Sequence, residues 1–252
     1  MLIQQTIDKL RTLKLSGMAN ALNAQLQQPL LDLDFETRFG ILVEEEWLAR
    51  ENSKTKRRLT QAKLQQHACI ENINYEKARG LVKSKMLELS RSQWVPNKFN
   101  ILITGSTGCG KTYIACALAH SACLNGYTSR HYRLPRLWEE LKVAKANGTY
   151  AVWLKQLAKL DVLILDDWGL IAPDAERRQD LLEILDDRYQ KSSTIVTSQL
   201  PVTHWHEHMH DDTFADAILD RLVHNSIRVE LQGDTMRRQN NQMPLQPAED
   251  KE

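Results

Sequence analysis

Residues 105–112 read GSTGCGKT and follow the apolar run NILIT directly. They fit G-x-x-x-x-G-K-[ST] in full, a loop that works only between the end of a buried strand and the first turn of a helix. The chain is therefore expected to contain a parallel α/β sheet. Glycine lets backbone N–H groups turn inward around phosphates, where a Cβ would obstruct the turn or the approach. Gly105, Ser106, Thr107, Gly108, Cys109 and Gly110 are expected to cradle a nucleotide's phosphates. Lys111 would set a point charge on the β- and γ-phosphates, and the Thr112 hydroxyl would ligate Mg²⁺. A helix opening at Lys111 adds its positive dipole end.

From residue 100 onward, short apolar runs alternate with helical segments, and strands are predicted at 100–104, 128–132, 161–166, 194–198 and 226–231. The run VLILDDWGL brings a carboxylate to the sheet's C-terminal edge. There Asp166 would hold Mg²⁺, largely through water, and Asp167 would orient or deprotonate the attacking water. The strand TIVTSQLP ends beside the same site, and Gln199, with Ser198 as the alternative, would sense or position water. His206-Glu207-His208-Met209-His210 matches HExxH, a zinc-protease pattern. The stretch is short and lies between Pro201 and Asp211, so surface-helix histidines are the preferred reading. In ADAILDRLVHNSIRVEL, the apolar Ala217, Ile218, Leu222 and Val223 would hold Arg221 in place, pointing out of its own subunit to complete a neighbour's ATP site. The competing reading is an ordinary ion pair with Asp216 or Asp220.

The first hundred residues read as helical. A break is expected at Ser16-Gly17, a second helix over 18–28 stopping at Pro29, and a long third helix capped by Asp34. The domain boundary is placed at Pro96-Asn97. That gives a helical domain over 1–96, an ATPase domain over 97–231 and a polar, disordered tail over 232–252. Net charge is +1 overall, but residues 52–98 carry 11 Lys and Arg against 3 Asp and Glu. Lys54, Lys56, Arg57, Arg58 and Lys63 fall in that stretch, several on one helix face, an arrangement suited to a DNA backbone. The four cysteines form no CxxC pair and read as buried reduced thiols. No run approaches the ~20 apolar residues of a membrane span, so a cytoplasmic protein with no membrane partner is expected.

Taken together, the motifs resemble those of AAA+ ATPases, and within them the IstB family of transposition helper ATPases. The resemblance spans almost the whole chain: LKLSGMANALNAQL, EEWLARENSKTKRRL, GSTGCGKT, LILDDWGL, TIVTSQLP and ILDRLVHNSIRVEL. It implies a helical N-terminal domain before a five-stranded parallel AAA+ sheet of order 5-1-4-3-2. It also implies an ATP- and Mg²⁺-dependent ATPase, stimulated by DNA, that oligomerises on double-stranded DNA with ATP at subunit interfaces and presents the target to a partner transposase. Arg221 matches the family's finger, Gln199 its polar sensor, and Arg237, or else Arg238, a second sensor. Two features depart from the superfamily pattern: Asp167 replaces the commoner Glu, and no helical lid follows the fifth strand.

A DnaC-type helicase loader shares the nucleotide motifs, and a small-molecule P-loop kinase shares the loop, but a kinase gains nothing from a basic helical N-terminus. Charge reversal at Arg57 and Arg58 is expected to weaken DNA binding equally for unrelated sequences. It should also flatten the dependence of log affinity on log salt by about one unit per lost contact. An affinity series across salt concentrations measures both, and an unaltered slope removes these residues from the interface.

Overall fold

The N-terminal stretch folds into three helices, α1 (Ile3–Thr12), α2 (Ser16–Gln27) and α3 (Phe35–Ala62). The structure is a computed structural model and describes residues 3–27, 33–75 and 80–233. It divides into two units, Met1–Thr60 and Gln61–Glu252.

In the first unit, the helix break falls at residues 13–15, and Ser16-Gly17 opens α2 rather than interrupting it. The expected stop at Pro29 lies outside the described residues. Gly17 serves close packing: a Cβ there would stand 2.6 Å from the Glu45 carbonyl oxygen and 2.7 Å from Glu46 Cα. That approach lets Glu46 of α3 cap α2 from outside. Its Oε2 accepts the Gly17 and Met18 N–H groups at 2.8 and 3.2 Å, two of the donors that a helix start leaves unpaired. Its Oε1 accepts Arg50 Nε at 2.6 Å. The Arg50 hydrogen bond, helped by the two backbone donors and opposed by desolvation, holds the Glu46 carboxyl below its ordinary value. Asp34 caps α3 as expected, accepting Thr37 N–H at 2.7 Å.

The second unit runs α4 (Lys83–Ser90), β1 (Asn100–Gly105), α5 (Lys111–Leu124), β2 (Ser129–Arg133), α6 (Leu134–Ala146) and α7 (Tyr150–Ala158). It continues through β3 (Val162–Trp168), α8 (Ala175–Arg188), β4 (Ser193–Ser198), α9 (Trp205–His208), α10 (Asp212–Val223) and β5 (Ser226–Leu231). The strands form one parallel sheet of order β2-β3-β4-β1-β5, the order expected. Parallel strands need crossover helices, which cover both faces, so the strands alternate between two cores. Ile101, Ile103, Ile164 and Ile195 face one, whereas Leu102, Leu163, Leu165 and Val196 face the other.

The division between units lies well before the expected boundary at Pro96-Asn97. Ala68, Ile70, Met86, Leu89 and Trp94 share a cluster with Ile101 and Ile103 of β1, so burial ties this stretch to the sheet. All four cysteines are free thiols; Cys109, Cys116 and Cys123 are buried and Cys69 is half-buried. Among the described residues no helix is long and apolar enough to cross a membrane.

Gly17→Ala should cost the first unit about 1–3 kcal/mol, because backbone atoms rather than a movable side chain meet the new methyl group. Glu46→Gln has a pH signature. A depressed folded pKa contributes stability that is present above the unfolded value and lost as pH falls through the folded one. The variant should therefore lose stability at neutral pH and approach wild type on acidification. Denaturation of the full chain at several pH values, followed by circular dichroism, checks both.

Candidate nucleotide site

The loop between β1 and α5 has the backbone that phosphate binding requires. Gly108 and Gly110 hold φ of 83° and 98°, in the left-handed region that favours glycine. A Cβ on Gly105 would stand 2.4 Å from the Leu231 carbonyl oxygen. Lys111 Nζ donates to the Gly105 and Ser106 carbonyls at 2.8 and 2.9 Å, and so bridges the loop. Ser106 Oγ donates to Gly233 O at 3.0 Å. A cavity of about 480 Å³ opens beside the loop, lined by Gln66, Asn72, Ile73, Thr107, Tyr113 and Asp167 among others. Cys109 of the loop is buried. Cradle, cation and cavity together fit a nucleoside triphosphate.

Asp166 ends the unbroken buried run of β3 and is 1% exposed. The Thr112 hydroxyl donates to its two oxygens at 3.0 and 3.1 Å, Thr197 Oγ1 donates to Oδ1, and His131 Nε2 lies 3.3 Å from Oδ2. Burial works to raise this carboxyl, but hydrogen bonds from His131, Thr197 and Thr112 and the charge of His131 outweigh it and hold it below its ordinary value. An ionised carboxylate beside the Thr112 hydroxyl suits Mg²⁺, which takes one or two protein oxygens and keeps waters and phosphate oxygens for the rest. Thr197 does a second job. The β3–β4 register shifts between Leu165 and Trp168, which leaves Asp166 and Asp167 opposite Thr197 alone. Thr197 Oγ1 accepts the Asp167 N–H at 3.3 Å and so stitches this bulge.

The bulge sets Asp167 at φ 63°, a left-handed position for a residue with a side chain. Such strain recurs at functional sites. Its carboxylate accepts Arg133 Nε at 2.7 Å. Gln199 Oε1 accepts Thr107 Oγ1 at 2.8 Å, so it reaches the loop and lines the same cavity. Ser198 instead is fully buried, donating to Trp168 O and accepting Leu200 N–H. Geometry thus favours Gln199 over Ser198.

Arg221 sits apart, on α10 before β5. Asn100, the first residue of β1, donates to the Arg221 carbonyl at 3.0 Å and places it at the N-terminal edge of the sheet. The loop leaves from the C-terminal edge. Six residues of β1 separate the two, about 20 Å at the rise of an extended strand. The Arg221 guanidinium pairs with Asp186, not with the expected Asp216 or Asp220, and lies over the Tyr189 ring.

Lys54, Lys56 and Arg57 are exposed on α3 and Arg58 is half-buried; Lys63 is exposed just beyond the helix end. At about 100° per residue, Lys54, Arg57 and Arg58 share a face and Lys56 does not. Lys54 pairs with Glu51 at 2.7 Å. Of the HExxH stretch only His206–His208 are helical, in the four-residue α9, and His206 pairs with Asp216 at 3.1 Å. Among the described residues no group of three or more His, Cys, Asp and Glu is arranged to hold a metal. Arg237 and Arg238 lie outside the described residues.

Sequence reading missed Thr197, His131, Arg133 and the Gln66–Ile73 wall of the cavity. For His131 and Arg133 a signal exists, since strand order sets β2 beside β3 and Arg133 opposite Asp166. Nothing local marks Thr197, because a threonine in a buried strand is ordinary.

The model of one family, described as IstB-like ATP binding protein, matches residues 8–243. An insertion-sequence ATP-binding protein of Sinorhizobium fredii is 43% identical over 239 residues, covering 94% of this chain and 98% of that one. One from Pseudomonas fluorescens is 44% identical over 80% of this chain and 88% of its own. Among solved structures, DnaI matches with a TM-score of 0.56 at 23% identity, covering 67% of this chain and 90% of that chain. The DnaC helicase loader matches with a TM-score of 0.54 at 21% identity, covering 68% and 99%. At these identities the two share the fold.

Thr197→Val removes the donor to Asp166 and the acceptor of the Asp167 N–H while keeping volume. The Mg²⁺ concentration that half-saturates nucleotide binding should rise about 10–100-fold, as when other supports of a metal ligand are lost. Thr197→Ser should restore it. An unchanged Mg²⁺ requirement would detach Asp166 from the metal.

Proposed function

The chain belongs to the family of IstB-like ATP binding proteins, and from that premise we propose that it is an ATPase which assembles on double-stranded DNA and presents it to a partner transposase in the cytoplasm. The observation that carries the reading is the separation of the phosphate-binding loop from Arg221 by the length of β1. Arg221 is too far from its own γ-phosphate and could leave Asp186 to serve a neighbour's.

In this reading Lys111 leaves the Gly105 and Ser106 carbonyls for the β- and γ-phosphate oxygens. Thr112 and Asp166 would hold Mg²⁺, which when bound would supply positive charge against the phosphates. Asp167 turns from Arg133 to take a proton from the attacking water, and Gln199 positions that water. Arg221 from the next copy offsets the negative charge of the transition state. The outer nucleotide contacts are then shared between copies, so ATP holds the assembly together and its hydrolysis loosens it. Basic residues of α3 bind DNA weakly in one copy; a row of copies multiplies those contacts by avidity.

Asp167→Asn should keep ATP bound while hydrolysis falls about 10²–10⁴-fold, the range for losing a positioned base, and the DNA-bound assembly should last longer. Arg221→Ala should bind ATP as a dilute chain yet neither hydrolyse it nor assemble. Mixed with Lys111→Ala it should regain activity, because hybrid interfaces join an intact loop to an intact finger. A mixture of folded, associating chains that stays inactive refutes the shared site. Co-purification of a transposase rather than a replicative helicase decides against the loader reading.

A further inference from the structure

The N-terminal edge of the sheet, opposite the phosphate-binding loop, holds a second cavity of about 370 Å³. Lys98, Arg188, Arg221 and His224 line it, and no Asp or Glu does. Arg188 is 1% exposed. Its partners are the Leu157, Leu160 and Ser193 carbonyls and the Thr194 hydroxyl, none of them a carboxylate. Its charge is thus fixed and buried without an ion pair. Burial pushes its pKa down to about 9, which leaves it protonated at neutral pH. Arg221 is partly offset by Asp186.

Lys98 is half-buried, and its ammonium has no hydrogen bond or ion pair among the described residues. Its backbone is held firmly. The N–H donates to Val95 O at 3.1 Å, the carbonyl accepts Asn225 Nδ2 at 3.1 Å, and φ is 59°. The stem is therefore anchored between the approaches to β1 and β5. Asp186 pairs with Arg221 and Asp161 lends Arg188 some attraction, but no carboxylate lines the recess, and cations gathered so are costly unless an anion joins them.

We propose that Lys98 is a second cation acting in trans, which with Arg221 takes the terminal phosphate of a nucleotide held in a neighbouring copy's loop. The inference rests on the shared-site reading above. A recess lined by several cations suits a multiply charged terminal phosphate better than a phosphodiester, which carries one charge and belongs to a rod too wide to enter. Arg221 can exchange Asp186 for the incoming phosphate; Lys98 has no partner to give up. Arg188 adds fixed positive charge from the floor.

The test uses the full chain with duplex DNA, in the variants Lys98→Ala, Lys98→Met and Lys98→Arg. ATP affinity of the dilute chain reads its own loop and reports folding; it should not change. Hydrolysis in the DNA-bound assembly should fall about 10²-fold in Lys98→Ala, the loss typical of one preorganised donor. Lys98→Met, which keeps the stem, should behave alike, and Lys98→Arg should retain most activity. Mixing Lys98→Ala with Lys111→Ala should restore turnover, because some interfaces join an intact loop to an intact Lys98. Wild-type turnover in Lys98→Ala and Lys98→Met overturns the proposal. So does an inactive Lys98→Ala that Lys111→Ala cannot rescue while the same partner rescues Arg221→Ala, since Lys98 then acts within its own subunit. Intact turnover with a flatter salt dependence of DNA binding assigns Lys98 to DNA phosphates and also overturns it. Failure of both mixtures refutes the shared site itself, and this inference with it.

Discussion

A single buried carboxylate governs the nucleotide edge of the sheet. An ionised group removed from water costs several kcal/mol unless hydrogen bonds replace its hydration. Asp166 meets that condition with donors from three elements: Thr112 on α5, His131 on β2 and Thr197 on β4. Slippage of β2 or β4 by one residue would turn a donor to the other face and strand the charge. The phosphate-binding loop inherits its position from this arrangement, because Thr112 belongs to the first turn of α5 that the loop opens. The bulge inherits it too, since Thr197 binds the carboxylate and the backbone of the residue beyond it. The place of Thr112, the loop and the strained Asp167 are consequences of one satisfied charge.

The opposite edge is built the same way with the sign reversed. Arg188 replaces the buried carboxylate, and protein oxygens replace the donors. Asn100 ties the start of β1 to β4 and to the end of α10, accepting Thr194 N–H and donating to the Arg221 and Leu222 carbonyls. The sheet thus carries an anionic site at one edge and a cationic one at the other, and within one copy its own strands keep them apart. Two copies placed head to tail bring them together. Such heterologous contact makes rings or filaments rather than closed dimers, which is the geometry that repeated DNA contacts need.

Most of the second unit was legible in the sequence because its signals are local. Buried parallel strands are continuous apolar runs, and the loop's glycines answer a backbone requirement that no other residue meets as cheaply. Asp34 was legible for the same reason, as a cap three residues from its donor. Gly17 was misread as a break because its reason is a neighbouring helix 29 residues away in sequence, where Glu46 receives its N–H. The boundary at Pro96 was misplaced similarly. A proline and an asparagine look like a linker, but Trp94 and Val95 are buried under β1 by contacts that a local window does not contain. Thr197, His131 and Arg133 escaped because their roles arise from strand order and from a bulge. The partner of Arg221 escaped because Asp186 lies on α8, not on its own helix.

Three charged groups of the proposed mechanism already have partners in the free chain. Lys111 holds the Gly105 and Ser106 carbonyls, Asp167 holds Arg133, and Arg221 holds Asp186. The two ion pairs are partly exposed, and pairs of that kind contribute about 0–1 kcal/mol. They are therefore weak enough to break, yet they keep Asp167 and Arg221 paired until the exchange. When nucleotide and a neighbouring copy arrive, each group trades one partner for another, and what remains is the difference between the two. A small difference at each interface is what a reversible assembly requires. If each interface gained the full value of a new charge pair, a DNA-bound row of copies would not come apart after hydrolysis. In the proposed mechanism these placeholders would take Lys111, Asp167 and Arg221 back when the γ-phosphate is lost, and the contact between copies would weaken at the moment the phosphate leaves.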